Sequence, residues 1–158
     1  MDTSKLIILT FVVTALWDVV LRFLSLNVDS LPKSYEQSKP FIRYLKPYFE
    51  QHTLLAAALI AGFVGATTQP IILMLTPFPK NISDLRYVSM FLGLSFVVSA
   101  LYGFVMKWSG LFPYLERYYY NQLGVFNSMY YDGVSGVVVQ VTLLFLLAIN
   151  SCVNLIKI

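Results

Sequence analysis

The residues best equipped for chemistry in this chain lie in the stretch "TALWDVVLRF", where Asp18 and Arg22 stand four positions apart inside a long apolar run. Thr10, Thr14, Asp18 and Arg22 follow one another at steps of four, with Ser25 three further on, so they line one face of a helix. An acid one turn before a base is the favourable order for an intrahelical ion pair. Such a pair can neutralise itself and join helices, or it can form part of a path for a proton or an ion. A lone charge at the centre of a bilayer costs roughly 2.5–3.5 kcal/mol on insertion scales. Self-neutralisation, with Arg22 reaching towards the headgroups, is therefore the expectation for this stripe.

Other chemistry is sparse. His52 is the only histidine and Cys152 the only cysteine, which removes an intrachain disulfide and leaves little for a metal site. Glu116 and Arg117 have no His, Cys or second carboxylate beside them to complete an acid–base pair. The chain has neither a phosphate-cradling glycine loop nor a CxxC pair. No catalytic, cofactor-binding or metal-ligating residue is assigned, and a non-enzymatic protein without cofactors is expected. An interfacial lipid-modifying enzyme is the alternative in that class. The net charge of +3 is spread along the chain with no basic run, so nucleic acid is not an expected partner.

The elements that must position these residues are clear from hydropathy. The chain is 58% hydrophobic and 12% charged, with a mean hydropathy of +0.70, whereas soluble domains carry about 25% charged residues. Apolar runs cover about 6–26, 54–75, 88–106 and 134–156, each close to the ~20 residues that cross a bilayer core as a helix. Backbone groups in lipid must be satisfied within the segment, which selects helices over strands. The expected fold is thus an all-α membrane protein, one domain over 1–158, with four transmembrane helices and two aromatic-rich interfacial loops at 27–53 and 107–133. The first run has no small-residue cleavage site after it and reads as a retained span. "YYDG" is read as the opening of the fourth span, and "TPFPKN" as the stop after the second.

Depth counting from the long-loop side places Asp18, Arg22 and Thr14 near Ser99, Tyr102 and Gln140, which predicts an intramembrane polar network among these six. Small residues recur at steps of four at Ala57, Ala61 and Gly65, and again at Ser95, Ser99 and Gly103. Such ridges let helix backbones approach closely. They are expected to pack on each other or on the first span, with a homo-oligomer contact as the alternative. Pro70 should bend the second span and free the Ala66 carbonyl, which Thr67, Thr68 or Gln69 could satisfy. Four spans put both termini on one side. Lys5, Lys80, Arg86 and Lys157 lie there, against Lys33, Lys39, Arg43, Lys46, Lys107 and Arg117 opposite. The positive-inside rule then makes the termini external or lumenal.

Both long loops carry too many aromatics for disordered linkers and are expected to lie on the membrane face, with 114–123 as a short interfacial helix. Tyr44, Tyr48, Tyr118, Tyr119 and Tyr120 are the candidate partner-binding residues. The four-span layout and tyrosine- and asparagine-rich loops such as "ERYYYNQLGVFNSMYYDG" resemble the small multi-pass membrane proteins of large icosahedral DNA viruses with an internal membrane. That resemblance implies a structural role in a virion inner membrane, holding the bilayer against capsid proteins. A structural or assembly role, with lipid and other membrane or capsid proteins as partners, is the functional expectation. A small channel, transporter or accessory subunit of a membrane complex, using Asp18 and Arg22, is the alternative.

Overall fold

A computed structural model describes residues 2–35, 39–79, 82–109 and 125–153. Among these residues there are five α-helices and no strand: α1 (Thr3–Leu26), α2 (Lys39–Gln51), α3 (Leu54–Leu75), α4 (Leu85–Trp108) and α5 (Val125–Val153). The helices α1, α3, α4 and α5 are each long and apolar enough to cross a membrane. Their starts are set by local chemistry where a cap is present. The Thr53 hydroxyl accepts from the Ala56 amide to open α3, and the Asp84 carboxylate accepts from the Tyr87 amide to open α4.

The four long helices form a ring in which each neighbour is antiparallel, α1 beside α3, α3 beside α4, α4 beside α5, and α5 beside α1. The ring is unequal. It consists of two tight pairs, α1 with α3 and α4 with α5, joined along looser seams. The pairs are tight because one partner presents glycine where the other presents a side chain. A Cβ at Gly65 would run into the Thr14 side chain, and a Cβ at Gly136 would run into Ser99. The small-residue ridges of α3 and α4 therefore do not pack on each other: Gly65 receives α1, while Ser99 and Gly103 lie against α5.

Surface and interior are inverted relative to a water-soluble bundle. Phe63, Phe145 and Met74 point outward at 66%, 64% and 86% exposure, whereas Thr10, Gln69 and Ser95 are buried to 1% or less. Side chains that would normally seek a core face outward, which lipid tolerates and water does not. Near the α3–α4 turn the interior is apolar: Leu6, Val13, Val139 and Leu143 form one cluster, and Ile72, Phe91 and Val98 another. The Phe78 ring meets Phe91 edge-on at 5.3 Å, and the Tyr87 hydroxyl donates to the Pro77 carbonyl at 2.7 Å, closing the turn.

Two local readings change. The fourth helix begins at Val125, nine residues before the expected opening at 134, so "YYDG" lies inside it. Gly133 is buried against the Phe96 ring and Asp132 lies over Gly103. Packing on α4 thus holds the helix together through a sequence that, locally, favours a turn. In α3 the helix continues through Pro70, but the Thr67 and Thr68 hydroxyls donate to the Phe63 and Val64 carbonyls, not to Ala66.

Candidate functional site

The polar stripe of α1 divides in two. Its deeper half, Thr10 and Thr14, faces a partly open cavity of about 110 Å³ lined by residues of all four long helices. Its outer half, Asp18 and Arg22, does something else. The Arg22 Nη1 donates to the His52 carbonyl at 2.6 Å, and its guanidinium lies 6.0 Å from the centre of the Phe49 ring. The Asp18 Oδ2 is buried without a hydrogen-bond partner. The expected Asp18–Arg22 pair therefore does not form. The physical reason is competition: the carbonyl end of α2 carries partial negative charge and unsatisfied acceptors. The Phe49 face adds a cation–π contact.

Arg22 in this way straps α2 to the end of α1. The apolar side of α2 completes the attachment, with Ile42, Leu45 and Phe49 all buried beside Val28. The loop at 27–53 was expected to lie on the membrane face, with its aromatic rings in the headgroup layer. Within it, Ile42, Leu45 and Phe49 of α2 cover the protein, and Arg43 and Glu50 are left exposed. Arg43 pairs with Asp29 at 2.9 Å and Lys46 approaches it at 3.9 Å. Exposed pairs of this type contribute about 0–1 kcal/mol.

Four of the six residues expected in one polar network, Thr14, Ser99, Tyr102 and Gln140, do line the same cavity. They are not gathered around Asp18. The Tyr102 hydroxyl meets Thr67 at 2.6 Å across the α3–α4 seam. The Gln140 amide nitrogen donates to the Gln69 amide oxygen at 2.5 Å, joining α5 to α3 across the ring. Ser99 sits beneath Gly136. Of the expected packing residues, Ala57 is fully buried, Ala61 is half-buried, and the buried Ser95 hydroxyl donates to the Phe91 carbonyl. The side chains of Tyr44 and Tyr48 on α2, and the whole of Tyr118, Tyr119 and Tyr120, lie outside the described residues, as does the expected short helix at 114–123.

Sequence reasoning missed the cavity's carboxylate, Asp132, because "YYDG" was read as the opening of the fourth span, which left Asp132 outside the helix. The signal was present: small residues at Gly133, Ser135 and Gly136 directly follow it, as they do along a packed helix face. Gln69 was weighed only for the Pro70 bend, yet it and Gln140 are the largest buried polar side chains among the described residues, at 0% and 2% exposure. One hydrogen bond joins them, leaving the Gln69 amide nitrogen and the Gln140 amide oxygen without partners. Turning both amides over exchanges their roles but still leaves one donor and one acceptor unmatched.

That pair gives a prediction. Replacing Gln140 alone by leucine strands the other amide in an apolar setting and should cost about 1–3 kcal/mol. Replacing Gln69 and Gln140 together by leucine should cost less than the single change, because no buried amide is left behind. Unfolding in denaturing detergent, followed by circular dichroism, measures both. Additive losses would mean that the two amides act independently.

The fold and the inward polar face define a class: a multi-pass α-helical integral membrane protein, with a partly open cavity between its long helices. Compared with protein-family models, curated proteins and solved structures, the chain matches none of them.

Proposed function

We propose that the protein is a non-enzymatic structural or assembly component of a membrane, presenting a fixed helical platform to neighbouring proteins. The observation that carries this reading is the attachment of α2. Its apolar side is committed to the bundle and Arg22 fixes its end, so its polar side is held in one orientation at the membrane surface. A rigid, pre-oriented face lowers the ordering cost of association. A platform of this kind fits the role that the viral resemblance implies, in which a bilayer is held against capsid proteins. A second copy of the chain is the other partner of this reading.

The test follows the loops. In the native membrane, solubilised in mild detergent, the wild-type chain should sediment as a defined complex with other membrane or capsid proteins. Changing Tyr118, Tyr119 and Tyr120 together to serine, or Arg43 and Lys46 together to glutamate, should release those partners while leaving insertion intact. A wild-type chain that sediments alone, or variants that keep their partners at the wild-type level, would remove the platform reading.

A second reading, passage of a small solute, draws support from the cavity between the four long helices. It expects solute flux in proteoliposomes containing the purified chain, at a rate above that of empty vesicles.

A further inference from the structure

The residues around the cavity between the four long helices are mostly polar by type, yet the surface they leave to it is mostly carbon. Hydroxyl direction explains the difference. Thr10 donates to the Leu6 carbonyl, Thr14 to the Thr10 carbonyl and Thr68 to the Val64 carbonyl, so each hydroxyl is turned back onto its own helix. The Gln69 and Gln140 amides are spent on each other, and their unmatched atoms are buried in the protein. The Asp132 carboxylate lies over Gly103. A bound water needs two or more polar partners, and this lining offers few.

The opening of the cavity lies at hydrocarbon depth. Among its lining residues only Ser135 is exposed, and its neighbours Val134 and Val138 on α5 face outward. Ser135 is ten residues into α5, and Val64, another lining residue, is ten into α3. At about 1.5 Å per residue both stand roughly 15 Å from the helix ends on the long-loop side. The hydrogen bond between Gln69 and Gln140, five residues beyond each of them, shows that the two positions are level. A hydrocarbon core is about 30 Å thick, so the mouth opens near its mid-plane, where acyl chains end.

We infer that this cavity takes the terminal segment of a lipid acyl chain from the surrounding bilayer. Volume selects the occupant: about 110 Å³ is room for roughly four methylene-sized groups, at about 30 Å³ for a body the size of water. That suits a chain end and is too little for a sterol ring system. Apolar cavities of this order of size stay dry and accept small apolar guests. The occupant also meets a need of the fold. An empty space forfeits the dispersion contacts of its walls, and in lipid such packing is what drives helices together. A chain end restores those contacts between the two tight helix pairs, where direct packing is thinnest.

The experiment is photolabelling of the full chain in phosphatidylcholine proteoliposomes whose acyl chains carry a diazirine at the terminal carbon. Tandem mass spectrometry locates the adducts. Phe63 and Val97, which face outward, should be labelled as ordinary lipid contacts, and Val64, Thr68 and Val139 of the cavity wall should be labelled as well. Moving the diazirine to the carboxyl end of the chain should reduce the adducts on the cavity wall several-fold, because that part of the chain stays near the headgroups. Ser135→Trp places a bulky ring at the mouth, on an exposed position. It should reduce the cavity adducts several-fold and leave those at Phe63 and Val97 unchanged. Adducts confined to outward-facing residues would overturn the proposal and leave the space to water. Cavity adducts of equal yield from both diazirine positions, or undiminished in Ser135→Trp, would overturn it too, since no chain end would then be entering by this mouth. Should Ser135→Trp fail to fold, the two diazirine positions compared in the wild-type chain decide.

Discussion

Alanine at Gly136 should loosen α4 from α5 and lower the unfolding midpoint by several degrees, although it adds one methyl group and improves helix propensity. The Cβ of such an alanine would fall on the Ser99 side chain, whose own Cβ is fixed to the α4 backbone and cannot swing aside. Overpacking of this type costs about 1–3 kcal/mol. At Gly93 the same change meets nothing within 4 Å, so there only the propensity gain of up to about 1 kcal/mol remains and the midpoint should hold or rise. Ser99→Gly should restore much of the loss in the Gly136→Ala background, because it removes the side chain that the new methyl group strikes. Denaturant titration in detergent gives all four values. Equal effects at Gly93 and Gly136 would mean that the close approach of α4 and α5 is not what the glycine serves.

Arg22→Ala should free α2 while leaving the α4–α5 pair undisturbed. The lost interaction is a hydrogen bond from a charged donor to the His52 carbonyl, worth about 1.5–3 kcal/mol, together with the contact to Phe49. Amide hydrogen exchange should therefore accelerate over residues 42–51, with little change in α4 and α5. Asp18→Asn separates this reading from an ion pair. If Asp18 and Arg22 were paired, removing either charge would strand the other and the two variants would suffer alike. Because Asp18 has a buried oxygen with no partner, Asp18→Asn should instead be neutral or stabilising. An Asp18→Asn variant that destabilises as much as Arg22→Ala would restore the ion pair.

The four apolar runs were legible from composition because a bilayer imposes a length and an apolar character that few other constraints imitate. The span at 54–75 coincides with α3, whose start carries its own Thr53 cap. The same legibility failed at "YYDG", where local turn chemistry points one way and packing of Gly133 on Phe96 points the other. Thr14, Ser99, Tyr102 and Gln140 were recognisable as inward-facing, since polar side chains in a span have nowhere else to go. Their partners were not recognisable. Depth counting put Gln140 level with Asp18 because it opened the fourth span at 134; from the start of α5 at Val125, Gln140 lies fifteen residues in, as Gln69 does from Leu54.

By itself, then, the sequence determined that the chain is a membrane-crossing helical bundle and which face of its first helix turns inward. Both follow from one-dimensional quantities, run length and a period of 3.6 residues. Tertiary structure decided which helices pair, where Arg22 makes its bond and that Asp132 belongs to a chamber. Those outcomes depend on which glycine accepts which side chain, and on competition among acceptors brought together only when α2 folds over the end of α1. Such contacts join residues 30 to 71 positions apart, beyond the reach of any local pattern.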